Sequence, residues 1–224
     1  MSVSPHLPAI DLFQQLGPHQ RDRLDAYAGM LRSMNRKLNL VSRESELDIS
    51  RIHIPHALSL AIRPFPVGAV IVDWGTGGGL PAIPLAICLP NVQIHAVDAI
   101  EKKIFAVRSM ARRLDLPNLE AWAGDAMHWP GSATHSVSRA TAPLAVLWKW
   151  HRRVATASSE TPGAWRGGLL CLKGGDLSDE IAELHASIEP GLERMEIEIV
   201  PLQPLYSSPY FETKMIVHVH QAGG

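Results

Sequence analysis

The chain has 224 residues, 46% of them hydrophobic and 19% charged, and its formal net charge is −1 at pH 7. This composition supports one domain with a full apolar core and excludes an intrinsically disordered chain. Two cysteines are too few for a disulfide framework, so reduced thiols and a cytoplasmic protein are expected. The first residues do not form a signal peptide, and the longest apolar run, residues 80–90, is too short to span a bilayer.

Helical patterns dominate the beginning of the chain. Residues 20–41 repeat apolar side chains at spacings of three and four, which is the period of an amphipathic helix. A second helical pattern covers residues 49–62 and is followed by Pro64 and Pro66. We therefore expect residues 1–66 to form an N-terminal helical extension that packs on the rest of the molecule.

After residue 66, short apolar runs alternate with helical patterns. The runs are residues 69–73, 93–98, 119–124, 135–139 and 168–173, and the helical patterns are residues 84–89, 102–114, 144–157 and 177–188. This alternation predicts a parallel sheet with helices on both faces. Residues 194–202 and 214–220 have no helix between them and predict a final antiparallel pair. Residues 67–224 are thus expected to form one α/β unit with a mostly parallel, seven-stranded sheet.

The first predicted strand runs into a glycine loop, Asp73-Trp-Gly-Thr-Gly-Gly-Gly-Leu80. Glycine allows positive φ angles and lets a ligand approach the backbone closely. A loop at the carboxyl end of a parallel strand also lies where such folds bind ligands. Asp98 ends the second predicted strand 19 residues after Gly79, a distance at which an acid accepts hydrogen bonds from ribose hydroxyls. The loop and the acid predict a nucleotide-like ligand; a tight turn followed by a surface aspartate is the alternative.

The residues of the loop favour S-adenosylmethionine over a dinucleotide. A dinucleotide site has the pattern G-x-G-x-x-G and receives a pyrophosphate at a helix N-terminus, whereas here Gly75 and Gly77 are followed directly by two more glycines. The carboxylate of Asp73 would repel a pyrophosphate and attract the ammonium group of S-adenosylmethionine. A nicotinamide-dependent oxidoreductase on a Rossmann fold is the alternative function. A non-catalytic protein that has lost its cofactor is a third.

The same loop carries a resemblance that extends over residues 30–220. The stretches that carry it are residues 35–40 (NRKLNL), 53–56 (HIPH), 73–87 (DWGTGGGLPAIPLAI), 97–98 (VD), 102–103 (KK), 138–140 (SRA), 172–175 (LKGG) and 211–214 (FETK). In these stretches the chain resembles the glucose-inhibited division protein B family. Members of that family transfer a methyl group from S-adenosylmethionine to N7 of a guanine in small-subunit (16S) ribosomal RNA. The resemblance implies a Rossmann-like class I methyltransferase fold.

The resemblance also implies which residues bind the methyl donor. It places contacts at Gly75, Leu80, the backbone of Ala126 and Met127, and Arg139, in addition to Asp73, Gly77 and Asp98 from the loop argument. Three departures from the family pattern stand out: Ile52 precedes His53 where an arginine is usual, Pro55 interrupts that motif's helix, and Met127 replaces a commonly acidic residue. At Met127, therefore, only a backbone contact is expected.

Methylation of guanine N7 needs positioning more than a general base, because N7 has a lone pair and no proton. The candidates for positioning the substrate are Arg139, Lys173, His53 and Asn39. The first two end the fourth and fifth predicted strands, so both should project at the carboxyl edge of the sheet. The sequence predicts neither a catalytic base nor a metal, because no histidine pair has a third ligand of clear spacing.

Charge is distributed unevenly along the chain. Residues 1–153 contain 17 Lys and Arg against 12 Asp and Glu, whereas residues 154–224 contain 4 against 10. A basic N-terminal part suits an RNA partner, although an ordinary solvated surface is the alternative. The RNA-binding candidates are Arg32, Arg36, Lys37, Arg51, Lys102 and Lys103. We expect the partner to be small-subunit ribosomal RNA or a 30S-type particle, with no membrane and no obligate protein partner.

Overall fold

A computed structural model describes residues 2–3, 16–40, 48–139, 141–188 and 194–222. The strands are β1 (Ser2–Val3), β2 (Val70–Trp74), β3 (Gln93–Asp98), β4 (Leu119–Ala123), β5 (His135–Arg139), β6 (Gly168–Gly174), β7 (Met195–Pro201) and β8 (Lys214–Gln221). The α-helices are α1 (Pro18–Leu38), α2 (Ile54–Leu58), α3 (Ala82–Cys88), α4 (Glu101–Arg113), α5 (Leu144–Val154) and α6 (Ser178–Ala186).

All eight strands form one sheet in the order β1-β7-β8-β6-β5-β2-β3-β4. Strands β2 to β6 pair in parallel, and β8 pairs antiparallel with both β6 and β7. The predicted fold is therefore confirmed, including the antiparallel arrangement of the last two strands. The two-residue strand β1 pairs in parallel with β7 and is an eighth strand at the edge of the sheet, beyond the seven that were predicted.

Helices cover both faces of the sheet, and alternate residues of each strand point to opposite faces. On β2, Ile71 belongs to the core shared with α1, α3 and α4, whereas Val72 belongs to the core shared with α5 and α6. On β6, Leu170 and Cys171 divide in the same way. Strands buried on both faces read as continuous apolar runs, and this is why the sequence revealed them.

Helix α1 packs on the first of these faces. Its side chains Leu24, Tyr27 and Leu31 are buried, as its helical spacing predicts. The Tyr27 hydroxyl donates a hydrogen bond of 3.0 Å to the carbonyl oxygen of Gly78, so α1 contacts the glycine loop directly. The division of the chain at residue 66 stays a prediction, because part of residues 1–66 lies outside the described ranges.

The helical pattern of residues 49–62 is divided into three segments. A π-helix covers Ile49–His53, α2 follows, and a 3-10 turn covers Ser59–Ala61. The N–H of Ile54 bonds the carbonyl oxygen of Ile49, five residues back. Pro55 has no N–H and cannot continue the ordinary ladder of backbone hydrogen bonds, which explains why one uninterrupted helix does not form.

None of the helices in the described residues has the length and apolarity that a membrane crossing requires.

Candidate cofactor and active site

A cavity of about 720 Å³ opens at the carboxyl edge of the sheet, where β2, β3, β4 and β5 end. Its wall consists of Leu40, His53, Gly75, Thr76, Gly77, Gly78, Leu80, Val97, Asp98, Ala99, Ile100, Lys103, Gly124, Asp125, Ala126, Arg139, Thr141 and Trp150. The volume lies within the usual range for small-molecule sites. The structure thus brings the glycine loop, the acid that ends β3 and the arginine that ends β5 to one cavity.

The glycine loop forms one wall of the cavity with its backbone. Gly75 has φ 69° and Gly77 has φ 58°, both in the left-handed region that favours glycine. The N–H groups of Gly75 and Thr76 both donate to the carbonyl oxygen of Val97, at 2.8 and 2.9 Å, which ties the loop to β3. A Cβ atom on Gly75 would overlap the side chain of Thr141. The cavity therefore depends on glycine at this position.

Asp98 lies where a ribose-binding acid would have to lie. One carboxylate oxygen accepts the N–H of Gly77 at 3.0 Å, and the other accepts the N–H of Ile100 at 2.9 Å. Lys103 Nζ stands 3.7 Å from the first of these oxygens. An ionised carboxylate offers about four lone-pair sites, so accepting capacity remains for hydroxyl groups. The backbone bonds hold the carboxylate in place, and the lysine lies beside it as a counter-charge.

Asp73 does not line the cavity. Its carboxylate is fully buried, and Oδ2 accepts the N–H of Ala82 at 3.1 Å in the first turn of α3. Burial raises the pKa of Asp73 to about 7, although the nearby Thr76 hydroxyl and the N–H of Ala82 act in the opposite direction. We expected this carboxylate to face the ligand's ammonium group. In the structure it instead anchors the loop to α3, so a role in binding stays a prediction that would act through the loop.

Arg139 and His53 form a pair on the cavity wall. Arg139 Nη1 donates to Nδ1 of His53 at 3.0 Å. Because a guanidinium can only donate, Nδ1 must accept, and the proton of the neutral imidazole is then on Nε2. Burial lowers the pKa of Arg139, while nearby Tyr27, Tyr210 and Asp73 act to raise it. The two residues, both expected to position the substrate, therefore contact each other on the cavity wall.

The structure does not bring Lys173 to the cavity. Its Nζ atom donates to the carbonyl oxygen of Ala142 at 3.0 Å and to Oε1 of Glu180 at 2.5 Å. The same Glu180 oxygen accepts the N–H of Leu144 at 2.7 Å, at the start of α5. The lysine thus joins β6 to α5 and α6. The expectation that it projects toward the substrate does not agree with these contacts.

Of three other expected residues, one lines the cavity and two lie outside its wall. Ala126 lines it, but Met127 does not, and the Met127 N–H donates to Asp125 Oδ1 at 2.8 Å. Asn39 caps α1 in the left-handed conformation, with φ 49°, and its N–H bonds the carbonyl oxygen of Asn35. Its neighbour Leu40 contributes to the wall instead.

The predicted RNA-binding residues are distributed over several elements. Arg36 and Lys37 are exposed near the end of α1, Arg51 is exposed in the π-helix, and Lys102 is exposed at the start of α4. The other two have partners. Arg32 donates to Ser50 Oγ at 2.8 Å, and the remaining candidate, Lys103, faces Asp98 in the cavity rather than solvent.

Thr141 and Trp150 are among the wall residues that sequence reasoning did not assign to the site. Thr141 Oγ1 donates to the carbonyl oxygen of Trp74 at 3.0 Å, at the end of β2. Trp150 is half-buried on α5 and meets the Trp74 ring edge-on, with centroids 5.9 Å apart. Thr141 directly follows the SRA stretch of residues 138–140, which was a signal for its position, whereas Trp150 stands in no recognisable motif. Within the described part of the chain, no three His, Cys, Asp or Glu side chains gather as a metal-binding group.

Comparison with known proteins identifies the family. The sequence model described as rRNA small subunit methyltransferase G (GidB) matches residues 20–200. The chain belongs to this family. It is 53% identical to ribosomal RNA small subunit methyltransferase G of Salinibacter ruber over 176 residues, covering 78% of this chain and 82% of that protein. It is 39% identical to the protein of the same name from Chlorobium luteolum, with coverages of 90% and 82%.

Solved structures agree with this assignment at the level of the fold. A SAM-dependent methyltransferase from Aquifex aeolicus is similar with a TM-score of 0.53 and 17% identity. The match covers 84% of this chain and 97% of that one. The Rossmann-like methyltransferase fold and the resemblance found in the sequence are both confirmed.

Proposed function

We propose that this chain transfers the methyl group of S-adenosylmethionine to N7 of a guanine in small-subunit (16S) ribosomal RNA. The observation that carries the proposal is the carboxyl-edge cavity, which holds the glycine loop, Asp98 and the Arg139–His53 pair together. Family membership makes the chain an S-adenosylmethionine-dependent rRNA methyltransferase, as the sequence predicted. The oxidoreductase alternative is not favoured, because both the relatives and the fold neighbour are methyltransferases.

The residues of the cavity fit S-adenosylmethionine. A glycine wall in which a Cβ would collide accommodates a ligand against the backbone, and Asp98 retains accepting capacity for ribose hydroxyls. We assign the ligand to the wall residues Gly75, Gly77, Leu80, Asp98, Ala126 and Arg139. Bound there, S-adenosylmethionine supplies an activated methyl group on a sulfonium centre.

The residues of the chain contribute position and charge. Arg139 is a fixed cation on the wall and is suited to guanine O6 or to a flanking phosphate, which leaves N7 free. His53 accepts from the guanidinium and holds its orientation. Since N7 carries no proton, no side chain has to remove one. We propose that this pair positions the guanine, and that Asn39 acts only through the end of α1.

The substrate is proposed to be ribosomal RNA, either free or within a 30S-type particle, and the reaction is proposed to occur in the cytoplasm, where such particles assemble. Basic residues exposed on α1 and α4 support an RNA partner. Supplying protein-free RNA and purified small subunits in parallel, both from cells that lack the gene, decides between the two forms.

Calorimetry and a methyl-transfer assay test the proposal. We expect S-adenosylmethionine to bind and NADH not to bind, and we expect labelled methyl groups to appear in the RNA at N7 of guanine. Arg139→Ala should reduce turnover by roughly thirty- to a hundred-and-fifty-fold, the loss of one charge-assisted contact. Binding of NADH alone would support the oxidoreductase, and the absence of any ligand would support a protein that has lost its cofactor.

A further inference from the structure

The solvent face of α4 presents an aromatic ring where an amphipathic helix normally presents polar groups. Phe105 is 66% exposed, although the residues beside it in sequence, Ile104 and Ala106, are fully buried. Large exposed apolar side chains are scarce among the described residues, and the others are Val67, Ile100 and Val146. Single exposed apolar residues are common on protein surfaces, so the meaning of this ring depends on the side chains around it.

Cations surround this ring. At 100° per residue, Lys102, Arg108 and Arg112 share the exposed face of α4 with Phe105, and all three side chains are exposed. The exposed acid Glu101 lies on the same face, so three cations stand there against one acid. Arg108 is held in place, because its guanidinium donates to the carbonyl oxygen of Ala121 at 2.7 and 3.0 Å. Lys103, in contrast, is turned into the cavity toward Asp98. The face therefore combines an apolar ring with positive charge, a combination that binds single-stranded nucleic acid.

Helix α4 begins beside the cofactor cavity. Ile100 precedes α4, lines the cavity and is 43% exposed at its edge. Phe105 follows five residues later, roughly 7.5 Å along the helix axis. At about 100° per residue its ring lies on the side of α4 opposite Lys103, which faces the cavity. The ring therefore lies outside the cavity, where RNA that flanks the methylated nucleotide can contact it.

We infer that Phe105 is a stacking platform for an unpaired base of the substrate RNA, outside the cofactor cavity. The inference rests on the proposed function. A second copy of this chain is the less suitable occupant, because this face carries three cations and one acid. A symmetric contact would therefore bring two faces of the same net positive charge together. RNA, by contrast, supplies both the phosphate charge and the flat base.

Three substitutions at one position separate stacking from simple apolar contact. Phe105→Ala removes the ring, Phe105→Leu keeps an apolar side chain without a ring, and Phe105→Tyr keeps the ring. RNA affinity should fall at least about five-fold in the alanine and leucine variants and stay near wild type in the tyrosine variant. Val67→Ala is the matched control, since Val67 is 99% exposed but precedes β2, at the opposite edge of the sheet.

The salt dependence of binding adds a second readout. Phe105→Ala should weaken RNA binding at every salt concentration without changing the slope, because no charge is removed. Lys102→Ala should reduce the slope by about 0.7 to 0.9. Affinity for S-adenosylmethionine and the melting temperature should stay unchanged in all four variants at positions 67 and 105. The loss caused by the alanine and leucine variants at position 105 should therefore appear as a higher KM for RNA.

Several outcomes would overturn the inference while leaving the proposed function intact. If wild-type protein methylates small-subunit RNA and Phe105→Ala binds that RNA as tightly, the ring is not a platform. Equal losses in Phe105→Tyr and Phe105→Ala would also exclude stacking. A wild-type dimer in sedimentation that Phe105→Ala abolishes, with unchanged RNA affinity, would assign the face to a second copy. Failure of wild-type protein to methylate any RNA would instead contradict the proposed function.

Discussion

At the residue scale, Gly75 shows why one wall of the cavity has no side chain. Its φ of 69° is strained for other residues, and a Cβ would overlap Thr141 Oγ1. That hydroxyl donates to the carbonyl oxygen of Trp74, an acceptor that Ser138 Oγ also bonds, so turning away would cost Thr141 this hydrogen bond. The sequence identified the glycine loop by its motif, but Thr141 became visible only once β2 and β5 were adjacent.

We predict that Gly75→Ala weakens S-adenosylmethionine binding by at least about ten-fold, because the new methyl group displaces Thr141 from the wall. Gly68→Ala is the matched control: Gly68 has φ 78°, a Cβ added there would meet no atom within 4 Å, and it precedes the opposite end of β2. Both variants should lose about 1 to 3 kcal/mol of stability from backbone strain. Calorimetry should show normal binding in Gly68→Ala alone, and equal affinities in both variants would argue against the glycine wall.

The buried carboxyl of Asp73 predicts a pH dependence of stability. Its pKa is raised to about 7 from an ordinary 3.8 because burial disfavours the charged form. Because the carboxyl has its ordinary, lower pKa in the unfolded chain, the unfolded chain loses this proton at a lower pH than the folded protein does. The contribution that protonated Asp73 makes to the free energy of unfolding is therefore full below about pH 4. It is then lost as the pH rises through 7. An asparagine at this position retains an acceptor for the Ala82 N–H and cannot ionise.

Asp73→Asn should therefore gain stability relative to wild type as the pH rises from 5 to 8. Urea unfolding of both proteins without ligand at the two pH values measures the difference. A stability difference that is the same at both pH values would mean that Asp73 is ionised throughout the range.

At the element scale, Lys173 and Glu180 connect β6, α5 and α6. The sequence placed the lysine correctly at the end of a strand and predicted that it serves the substrate. That prediction could not be sharper, because the partner Glu180 lies on a helix whose rotation toward β6 is set only by tertiary packing. The π-helix of residues 49–53 was unpredictable in a similar way. Pro55 indicated that the helical pattern is interrupted, but not that the interruption takes the form of a π-helix.

We predict that Lys173→Ala and Glu180→Ala each lower the unfolding free energy by about 2 kcal/mol, because each leaves a partly buried charge without its partner. The double variant should lose less than the sum of the two. RNA affinity should stay at the wild-type value in all three proteins. A large loss of RNA affinity in Lys173→Ala with unchanged stability would mean that this lysine contacts substrate after all.

At the scale of the whole molecule, the charge asymmetry predicts the salt dependence of RNA binding. The excess of cations in residues 1–153 includes Arg36 and Lys37, which are exposed on α1. Counterion release should make RNA affinity fall steeply with salt, and removing both cations should reduce the slope by about 1.4 to 1.8. Arg166→Ala is the control, since Arg166 is exposed near Glu160 at the amino edge of the sheet. A flat salt dependence would contradict this.

The architecture was accessible from the sequence because its signals are local. Apolar runs, helical periods and the missing helix between β7 and β8 each occupy a few consecutive residues. The cavity is different, since its wall joins residues from position 40 to position 150. Its motif-bearing members, such as Asp98, were predictable, whereas Trp150 and the inward turn of Lys103 depend on which helices pack together.

The most direct test of the proposed reaction is to map methylated guanines in small-subunit ribosomal RNA from cells with and without the gene. Cleavage at 7-methylguanosine should mark one position in the wild type and be absent from the deletion strain. The wild-type gene should restore it, and a gene encoding Gly75→Ala should restore it poorly. An identical 7-methylguanosine pattern in both strains would contradict the proposed reaction.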